Sequence, residues 1–297
     1  MDNNYQTRLD EINRIKGSML GFAIGDALGA TVEFMHPDSI KQEIGTHKDI
    51  IGGGWLKLEP GEITDDTEMT LCVARSLVDC GGYNLKDIAD KFVVWYNGDP
   101  VDIGSTCRAG IHRYIRTGNL EAPYNDRAAG NGGVMRELPL ILRYANDREF
   151  MLNSVVSQSR LTHNNKESDL GCQCYAELVA ATLSGASKEE LRDIAGHFPL
   201  FDPEKFDGKS GGYVVETLRT VLHYFFVTST FENCIVSVVN RGEDADTTGA
   251  LAGGLAGAFY GLEPIPARWL GALDRDAHQE LLQLAERVAT MTQLRMR

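Results

Sequence analysis

Two short clusters of carboxylate and hydroxyl side chains lie far apart in this sequence, TDDT at positions 64–67 and DADT at positions 244–247. Each cluster stands where a helical pattern begins, and neither has a histidine or cysteine beside it. Oxygen ligands without nitrogen or sulfur are what a hard cation such as Mg²⁺ or Mn²⁺ prefers. The two clusters can share a cation only if the fold brings two helix starts face to face.

Each cluster taken alone also has an ordinary interpretation as a helix cap. Asp and Thr are preferred N-cap residues, and Glu68 is placed to complete a capping box with the first cluster. Together, however, the clusters hold more carboxylates than capping needs, because one cap satisfies only one or two free N–H groups. Four carboxylates crowded into a small volume repel strongly, and bound cations would make that arrangement tolerable.

Glu33 could add a fifth carboxylate, although an exposed surface glutamate is the ordinary alternative. One octahedral ion that keeps several waters needs few protein ligands. Two ions about 3.5–4 Å apart need more, so we predict a binuclear site with two Mn²⁺ or Mg²⁺ ions. The candidate side chains are Glu33, Thr64, Asp65, Asp66, Asp244, Asp246 and Thr247.

Glycines recur at every fourth position in two segments, from Gly17 to Gly29 and from Gly249 to Gly261, and the second segment directly follows the second acidic cluster. Residues four apart share one face of a helix, so each segment would carry a stripe without side chains. Each helical glycine costs about 1 kcal/mol relative to alanine, and close backbone packing is the expected compensation. A membrane hairpin is the alternative. We reject it because Asp26 interrupts the first segment and both fall short of the ~20 apolar residues that span a bilayer.

Helical periodicity also dominates the rest of the chain, and the run FFVT at 225–228 is the most strand-like exception. We therefore predict an all-α fold, a multi-helix bundle that forms a single domain over residues 1–297. The predicted helices are 9–30, 65–80, 85–96, 105–117, 133–144, 149–159, 168–183, 188–197, 212–227, 231–240, 245–260 and 276–292.

Loops rich in glycine and asparagine offer further polar groups. The N–H groups of Asn131, Gly132 and Gly133 precede a predicted helix and could hold a phosphate, although a simple turn is as consistent with the spacing. His163 could contact a phosphate or a ribose, with an exposed loop histidine as the alternative. Tyr213 could stack on a base, although an aromatic residue at a helix start more often packs in the core.

Composition narrows the classes of function. The formal net charge is −13, from 29 basic and 42 acidic residues, which argues against a general binder of nucleic acid or anionic membranes. The polar start of the chain lacks the apolar core of a signal peptide, and we predict no transmembrane segment. The six cysteines form no CxxC pair and no zinc-ligand spacing. Reduced, mostly buried thiols in a cytoplasmic protein are the simplest expectation.

Several motifs in order resemble the ADP-ribosylglycohydrolase family, and the paired TDDT and DADT are their most specific part. The others are the glycine-rich segment that ends in EF at 33–34, NGDPVDIGST, GNGGVMR, SRLTHNNKES, GGYVVETL and NRGEDADTTGALAGGLAGAFYG, which together span most of residues 17–261. The resemblance implies an all-α fold, a binuclear Mg²⁺ or Mn²⁺ centre and an ADP-ribosylated substrate.

The resemblance also implies roles by motif position. It places the metal ligands at Thr64, Asp65, Asp66, Asp244, Asp246 and Thr247. It places Glu33 at the family's glutamate position and Asp102 in the family's DIG loop, and we regard both as candidate catalytic acids. It assigns the pyrophosphate to the region of Asn131, Gly132 and Gly133. It assigns the distal ribose to the region of His163 and the adenine to the region of Tyr213. It leaves Glu243 without a role.

Within the family, the motif sequences are most similar to those of members that remove ADP-ribose from an arginine of the nitrogenase iron protein in nitrogen-fixing bacteria. The expected reaction is hydrolysis of the N-glycosidic bond between the ribose and the guanidinium, with Asp102 or Glu33 moving the proton. The resemblance implies the iron protein as the substrate and a PII-class nitrogen-signalling protein as a regulatory partner. The alternatives are another ADP-ribosyl linkage (serine or poly-ADP-ribose), a two-metal phosphohydrolase, or a non-catalytic ADP-ribose-binding relative.

Overall fold

Helices form nearly all the regular structure of the computed structural model, which describes residues 2–294 and the side chains of 8–292. Within that part there is no β-strand, and two isolated bridges pair Gly53 with Leu58 and Gly130 with Tyr213. The all-α prediction is confirmed. The ends of the predicted domain, residue 1 and residues 295–297, lie outside the described residues. That the chain forms a single domain stays a prediction.

The α-helices are α1 (Asp2–Gly29), α2 (Pro37–Glu43), α3 (Asp65–Cys80), α4 (Leu85–Asn97), α5 (Ser105–Thr117), α6 (Leu138–Tyr144), α7 (Arg148–Ser159), α8 (Lys166–Leu183), α9 (Lys188–Gly196), α10 (Val214–Val227), α11 (Phe231–Val239), α12 (Ala245–Tyr260), α13 (Ala267–Ala272) and α14 (Arg275–Leu294). Short 3₁₀ helices occupy Asn131–Arg136, Pro199–Phe201 and Pro203–Lys205.

The two glycine stripes pack directly against each other in the centre of the bundle. A Cβ atom added to Gly25 would overlap the backbone of Gly249, and one added to Gly253 would overlap the backbone of Gly21. The pairing is antiparallel, since Gly29 at the end of α1 lies against Ala245 at the start of α12. The predicted backbone contact is confirmed. It places the residues that follow α1 beside the residues that begin α12.

Local sequence signals explain most helix boundaries. Thr64 is the N-cap of α3, and its hydroxyl accepts a hydrogen bond from the Asp66 N–H. Ser187 and Glu190 form a complete capping box at α9. Gly81 ends α3 in the left-handed conformation that glycine adopts without cost. The predicted helices 65–80, 105–117 and 245–260 agree with the structure at both ends.

Proline explains the main departures from the predicted helices. The segment 133–144 was predicted as one helix, but it divides into a 3₁₀ helix and α6 near Pro139. Proline has no N–H and its ring clashes with the carbonyl four residues earlier, so one continuous α-helix cannot pass through it. The prediction missed α2, which begins at Pro37, and α13, which follows Pro266. The strand-like residues 225–227 are the last turn of α10.

Two further predictions agree with the described residues. All six cysteines are free thiols, and five of them are buried. None of the helices described here has both the length and the apolar character needed to cross a bilayer.

Candidate active site

Asp26 joins the first glycine helix to the first acidic cluster. Its fully buried carboxylate accepts hydrogen bonds from the Thr64 hydroxyl at 2.8 Å and the Thr67 hydroxyl at 2.5 Å, and from the N–H groups of both threonines. Burial raises the pKa of Asp26 to about 6 against the lowering effect of these hydrogen bonds. In the sequence, Asp26 stands out only as a break in an apolar run. A lone aspartate on a stripe of small residues was the available signal for this role.

The two acidic clusters meet in the fold, as predicted. The Thr247 hydroxyl donates to Asp66 Oδ2 at 3.1 Å, which joins the start of α12 to the start of α3. Carboxylate oxygens of Glu33, Asp244 and Asp246 lie within 4.8 Å of one another. The starts of α3 and α12 and the turn after α1 therefore place carboxylates from three segments of the chain in one small volume.

Burial and mutual repulsion favour the protonated forms of these carboxylates. Burial, with the neighbouring Asp246 as the next cause, raises the pKa of Asp66 well above its usual range. Asp246 is shifted in the same direction by burial and then by Glu33. Burial is also the main cause that raises the pKa of Glu33 and Asp65 to about 8 and that of Asp244 to about 6.

The residues at this point fit a hard divalent cation. Asp66 Oδ1 is buried and has no hydrogen-bond partner in the described part of the chain. An ionised carboxylate oxygen in that position is costly unless a positive charge faces it. The surrounding donor set is entirely oxygen, from carboxylates and threonine hydroxyls, which suits Mg²⁺ or Mn²⁺ rather than a softer metal. The acidic group can thus hold a metal ion.

A cavity of about 370 Å³ opens beside the carboxylates. Of the predicted site residues, its wall includes Glu33, Asp65, Asp102, Asn131, Gly132, His163, Asp244, Asp246 and Thr247. Thr64 and Asp66 lie just behind that wall, in hydrogen-bond contact with each other. The fold therefore gathers both predicted groups, the acidic residues and most of the predicted substrate contacts, around one space.

Asp102 and Asp65 are held by the loop between α4 and α5. Asp102 is half-buried, and its Oδ1 accepts a hydrogen bond from the Ile103 N–H at 2.8 Å. Burial raises the pKa of Asp102. The N–H of Gly104 donates to Asp65 Oδ2 at 3.2 Å. The DIG segment thus contributes a carboxylate to the cavity and positions another.

The glycine-rich segment forms the opposite wall. Asn131 Nδ2 donates to Asp244 Oδ2 at 2.5 Å and to the Thr217 hydroxyl at 3.1 Å, which fixes the second acidic cluster from the side. Gly132 lies against the ring of His163, where an added Cβ atom would come within 2.6 Å of Cε1. Gly133 instead packs against Ser159 and is not part of the wall.

The structure shows how far His163 and Tyr213 are buried and where they lie relative to the cavity. His163 is almost fully buried and borders the cavity, so the alternative of an exposed loop histidine is wrong. Burial, assisted by the nearby Arg136 charge, lowers its pKa to about 3. Tyr213 is partly exposed, and its hydroxyl donates to Glu167 at 2.8 Å. It lies at the edge of the site and is not among the residues that line the cavity.

Glu243 has a structural role that the sequence left open. Its backbone accepts from the Phe34 N–H at 2.6 Å and donates to the Met35 carbonyl at 3.0 Å. Its side chain accepts from the Ser210 N–H at 2.5 Å. Its φ of 53° is left-handed, which non-glycine residues seldom adopt. Glu243 thus ties the segment after α1 to the start of α12, next to Asp244.

Trp55 is a further site residue that sequence spacing did not indicate. Its ring N–H donates to Glu33 Oε2 at 2.5 Å, and its ring packs against Phe34 with 5.3 Å between centroids. Both rings are exposed at the edge of the cavity. This hydrogen bond orients the Glu33 carboxylate toward Asp244 and Asp246 from a loop outside any predicted helix.

These pKa shifts predict an unusual dependence of stability on pH. With a chelator present, the free energy of unfolding should fall as pH rises from about 4 to about 8. The folded carboxyls at Asp65 and Glu33 titrate near 8, whereas unfolded carboxyls titrate near ~4, so the folded state holds the extra protons across that window. Within the window each such group lowers the free energy of unfolding by about 1.4 kcal/mol per pH unit. The accumulated loss of stability is absent below the window and complete above it.

Urea unfolding between pH 5 and pH 8, with EDTA or with Mn²⁺, measures this effect. Bound Mn²⁺ should flatten or reverse the slope because the cation favours the ionised carboxylates. A free energy of unfolding that rises with pH in EDTA would contradict the raised pKa values.

Comparison with known proteins places this chain in a family. A model of the ADP-ribosylglycohydrolase family matches residues 7–297. The chain is 46% identical to the ADP-ribosyl-[dinitrogen reductase] glycohydrolase of Rhodospirillum rubrum, over 91% of this chain and 93% of that protein. It is 33% identical to the ADP-ribosylarginine hydrolase Tri1 of Pseudomonas putida, over 93% of this chain and 80% of that protein.

A solved structure gives the same result. The structure titled "ADP-ribosylglycohydrolase-related protein complex" superposes with a TM-score of 0.85 at 34% sequence identity, over 95% of this chain and 99% of that chain. The sequence motifs, the fold and the converging carboxylates agree with these matches. The chain belongs to the ADP-ribosylglycohydrolase family.

Proposed function

We propose that this protein is a metal-dependent glycosidase that removes ADP-ribose from an arginine of a protein, and that the protein is the nitrogenase iron protein. The observation that carries the proposal is the convergence of the two acidic clusters on a cavity whose far wall is the glycine segment and His163. The relatives named for dinitrogen reductase and for ADP-ribosylarginine favour this linkage and this target.

The metal ligands in this proposal are the oxygen donors of the two clusters. Asp65 and Asp66 would bind from the start of α3, and Asp244 and Asp246 from the start of α12, with the hydroxyls of Thr64 and Thr247 beside them. Two Mn²⁺ or Mg²⁺ ions held there would polarise ribose oxygens and lower the pKa of a water molecule. The buried, unpartnered Oδ1 of Asp66 supports its place in the set.

The chain's own groups would hold the rest of the substrate. Asn131 and Gly132 lie where the pyrophosphate would enter, and Gly133 supports this wall through its contact with Ser159. His163 would donate a hydrogen bond to an oxygen of the ligand from the floor of the cavity. Tyr213, at the edge, is placed for the adenine rather than for the reacting ribose.

Asp102 is our choice for the proton transfer. One of its oxygens is held by the Ile103 N–H, and burial raises its pKa, which favours the protonated form that a general acid needs. From the other oxygen it would protonate the departing guanidine nitrogen. Glu33 is the second candidate. Its hydrogen bond from Trp55 and its place beside Asp244 and Asp246 suit it better to orienting or holding a cation.

The proposal predicts a strong preference for arginine linkages. Purified protein with Mn²⁺ should release ADP-ribose from ADP-ribosyl-arginine at least about 100-fold faster than from ADP-ribosyl-serine, since nearby carboxylates can hold and protonate the guanidine. Asp102→Asn should lower kcat by roughly 10²–10⁴-fold with little change in folding. Chromatography of the released nucleotide measures both effects.

Asp99→Asn is the matched control, because Asp99 is exposed, lies in the same loop and does not line the cavity. Faster cleavage of the serine linkage would overturn the specificity. Release of AMP would indicate a phosphohydrolase instead, and binding without any product would indicate a non-catalytic relative. The PII-class regulator stays a prediction from the sequence resemblance, which titration with a purified PII protein would test.

A further inference from the structure

Arg136 lies fully buried beneath the glycine segment, in a position that the reaction proposed above does not use. Its Nε donates to Gln158 Oε1 at 2.9 Å, and one Nη2 hydrogen bond reaches the Gln158 carbonyl at 3.1 Å. The other Nη2 contact is to the Thr162 hydroxyl oxygen at 2.8 Å. The guanidinium also lies over the ring of Phe92. A buried cation held in this way has a fixed orientation.

Thr162 links this cation to His163, and the direction of each hydrogen bond can be deduced. A guanidinium only donates, so the Thr162 oxygen accepts from Arg136. The single hydrogen of the hydroxyl is then available for His163 Nδ1, which lies 2.7 Å away. The competing acceptor near Thr162 is the Cys107 thiol, and sulfur is a weak acceptor. His163 Nδ1 is therefore the preferred acceptor of the Thr162 hydrogen.

A neutral ring that accepts at Nδ1 carries its proton on Nε2. Of the described residues, none hydrogen-bonds to Nε2, and His163 borders the cavity. Gly130 and Gly132 lie over this nitrogen, and Cβ atoms added to them would come within 3.1 Å and 3.0 Å of it. Larger residues would cover the Nε2–H group. Burial holds the ring neutral, in agreement with the lowered pKa.

We infer that Arg136 and Thr162 are positioning residues that lock His163 as the neutral Nε2–H tautomer and so present a fixed, uncharged hydrogen-bond donor to the cavity. Such a donor selects an oxygen acceptor on the ligand. Its identification as a phosphate or ribose oxygen of ADP-ribose rests on the proposed function, whereas the tautomer does not. Gln158 supports the arrangement, because its Nε2 donates to the Gly133 carbonyl at 2.7 Å.

The tautomer can be measured directly in the full-length protein without nucleotide. A two-bond ¹H–¹⁵N correlation spectrum of ¹⁵N-histidine-labelled protein with Mg²⁺ distinguishes protonated from unprotonated ring nitrogens. His163→Gln assigns the His163 signals among those of the seven histidines. We expect a protonated Nε2 and an unprotonated Nδ1 in the wild type. A proton on Nδ1, or an even mixture of tautomers, would overturn the inference whatever the variants do.

Thr162 variants test how the tautomer is set. Thr162→Val keeps the shape and removes the hydroxyl, so the His163 signals should shift toward a tautomer mixture. Thr162→Ser should restore the wild-type spectrum. Calorimetric titration should show that ADP-ribose binds the valine variant about 10- to 100-fold more weakly, with rescue by serine. An unchanged spectrum in folded Thr162→Val would overturn the role of Thr162.

A second nucleotide identifies the acceptor. An equal loss of affinity for ADP and ADP-ribose in Thr162→Val would mean that the Nε2–H group donates to a phosphate oxygen. A loss confined to ADP-ribose would mean that it donates to an oxygen of the distal ribose. No loss for either nucleotide would overturn the donor role. If the wild type binds neither nucleotide, the proposed function fails, and the spectrum still decides the tautomer.

Discussion

Asp246→Ala should lose bound metal and at least about 10³-fold in activity, because the cation's contribution to the transition state is several kcal/mol. The variant should nevertheless fold. Asp246 is buried beside Glu33 and Asp244, and burial, followed by the repulsion of these neighbouring carboxylates, raises its pKa. Removal of one carboxylate relieves repulsion in the metal-free site. The metal-free variant should therefore be at least as stable as the metal-free wild type.

Elemental analysis and thermal melting with and without EDTA measure both parts of this result. Asp193→Ala is a suitable control, because Asp193 is an exposed residue of α9 far along the chain from either cluster. The control should keep its metal and its activity. EDTA should lower the melting temperature of the wild type by linkage, and should have little effect on Asp246→Ala. Undiminished metal in Asp246→Ala would contradict the ligand assignment.

The second large effect is expected at the contact between the glycine stripes. Gly253→Ala should cost more than about 3 kcal/mol in the free energy of unfolding, since overpacking against rigid backbone is relieved only by moving a helix. The added Cβ atom would overlap the backbone carbonyl of Gly21 on α1. The gain of about 1 kcal/mol in helix propensity is too small to compensate. The end of α1 and the start of α12 would separate, so activity should fall together with stability.

Gly196→Ala is the matched control for this substitution. Gly196 is the last residue of α9, has no atom within 4 Å of an added Cβ and does not adopt a positive φ. It should be neutral or more stable by up to about 1 kcal/mol. Chemical denaturation of both variants gives the comparison. Wild-type stability in Gly253→Ala would mean that the helices are not packed backbone to backbone.

The sequence by itself determined the features that depend on local patterns. Helical periodicity predicted α3, α5 and α12 with their observed ends, and at α3 the N-cap Thr64 marks the start. The spacing of glycines predicted a helix contact without side chains, and the excess of carboxylates over capping needs predicted a shared site. These inferences succeeded because periodicity, caps and charge crowding act over a few neighbouring residues or follow from elementary electrostatics.

Only the tertiary structure decided which partners these residues meet. A threonine at a helix start can cap, ligate or donate, and Thr64 both caps α3 and bonds to Asp26 on α1. The contacts from Trp55 to Glu33 and from Thr162 to His163 have no signature in spacing. Their physical reason is that side-chain hydrogen bonds form wherever packing brings donor and acceptor together. Packing is a property of the whole chain, so no local pattern specifies it.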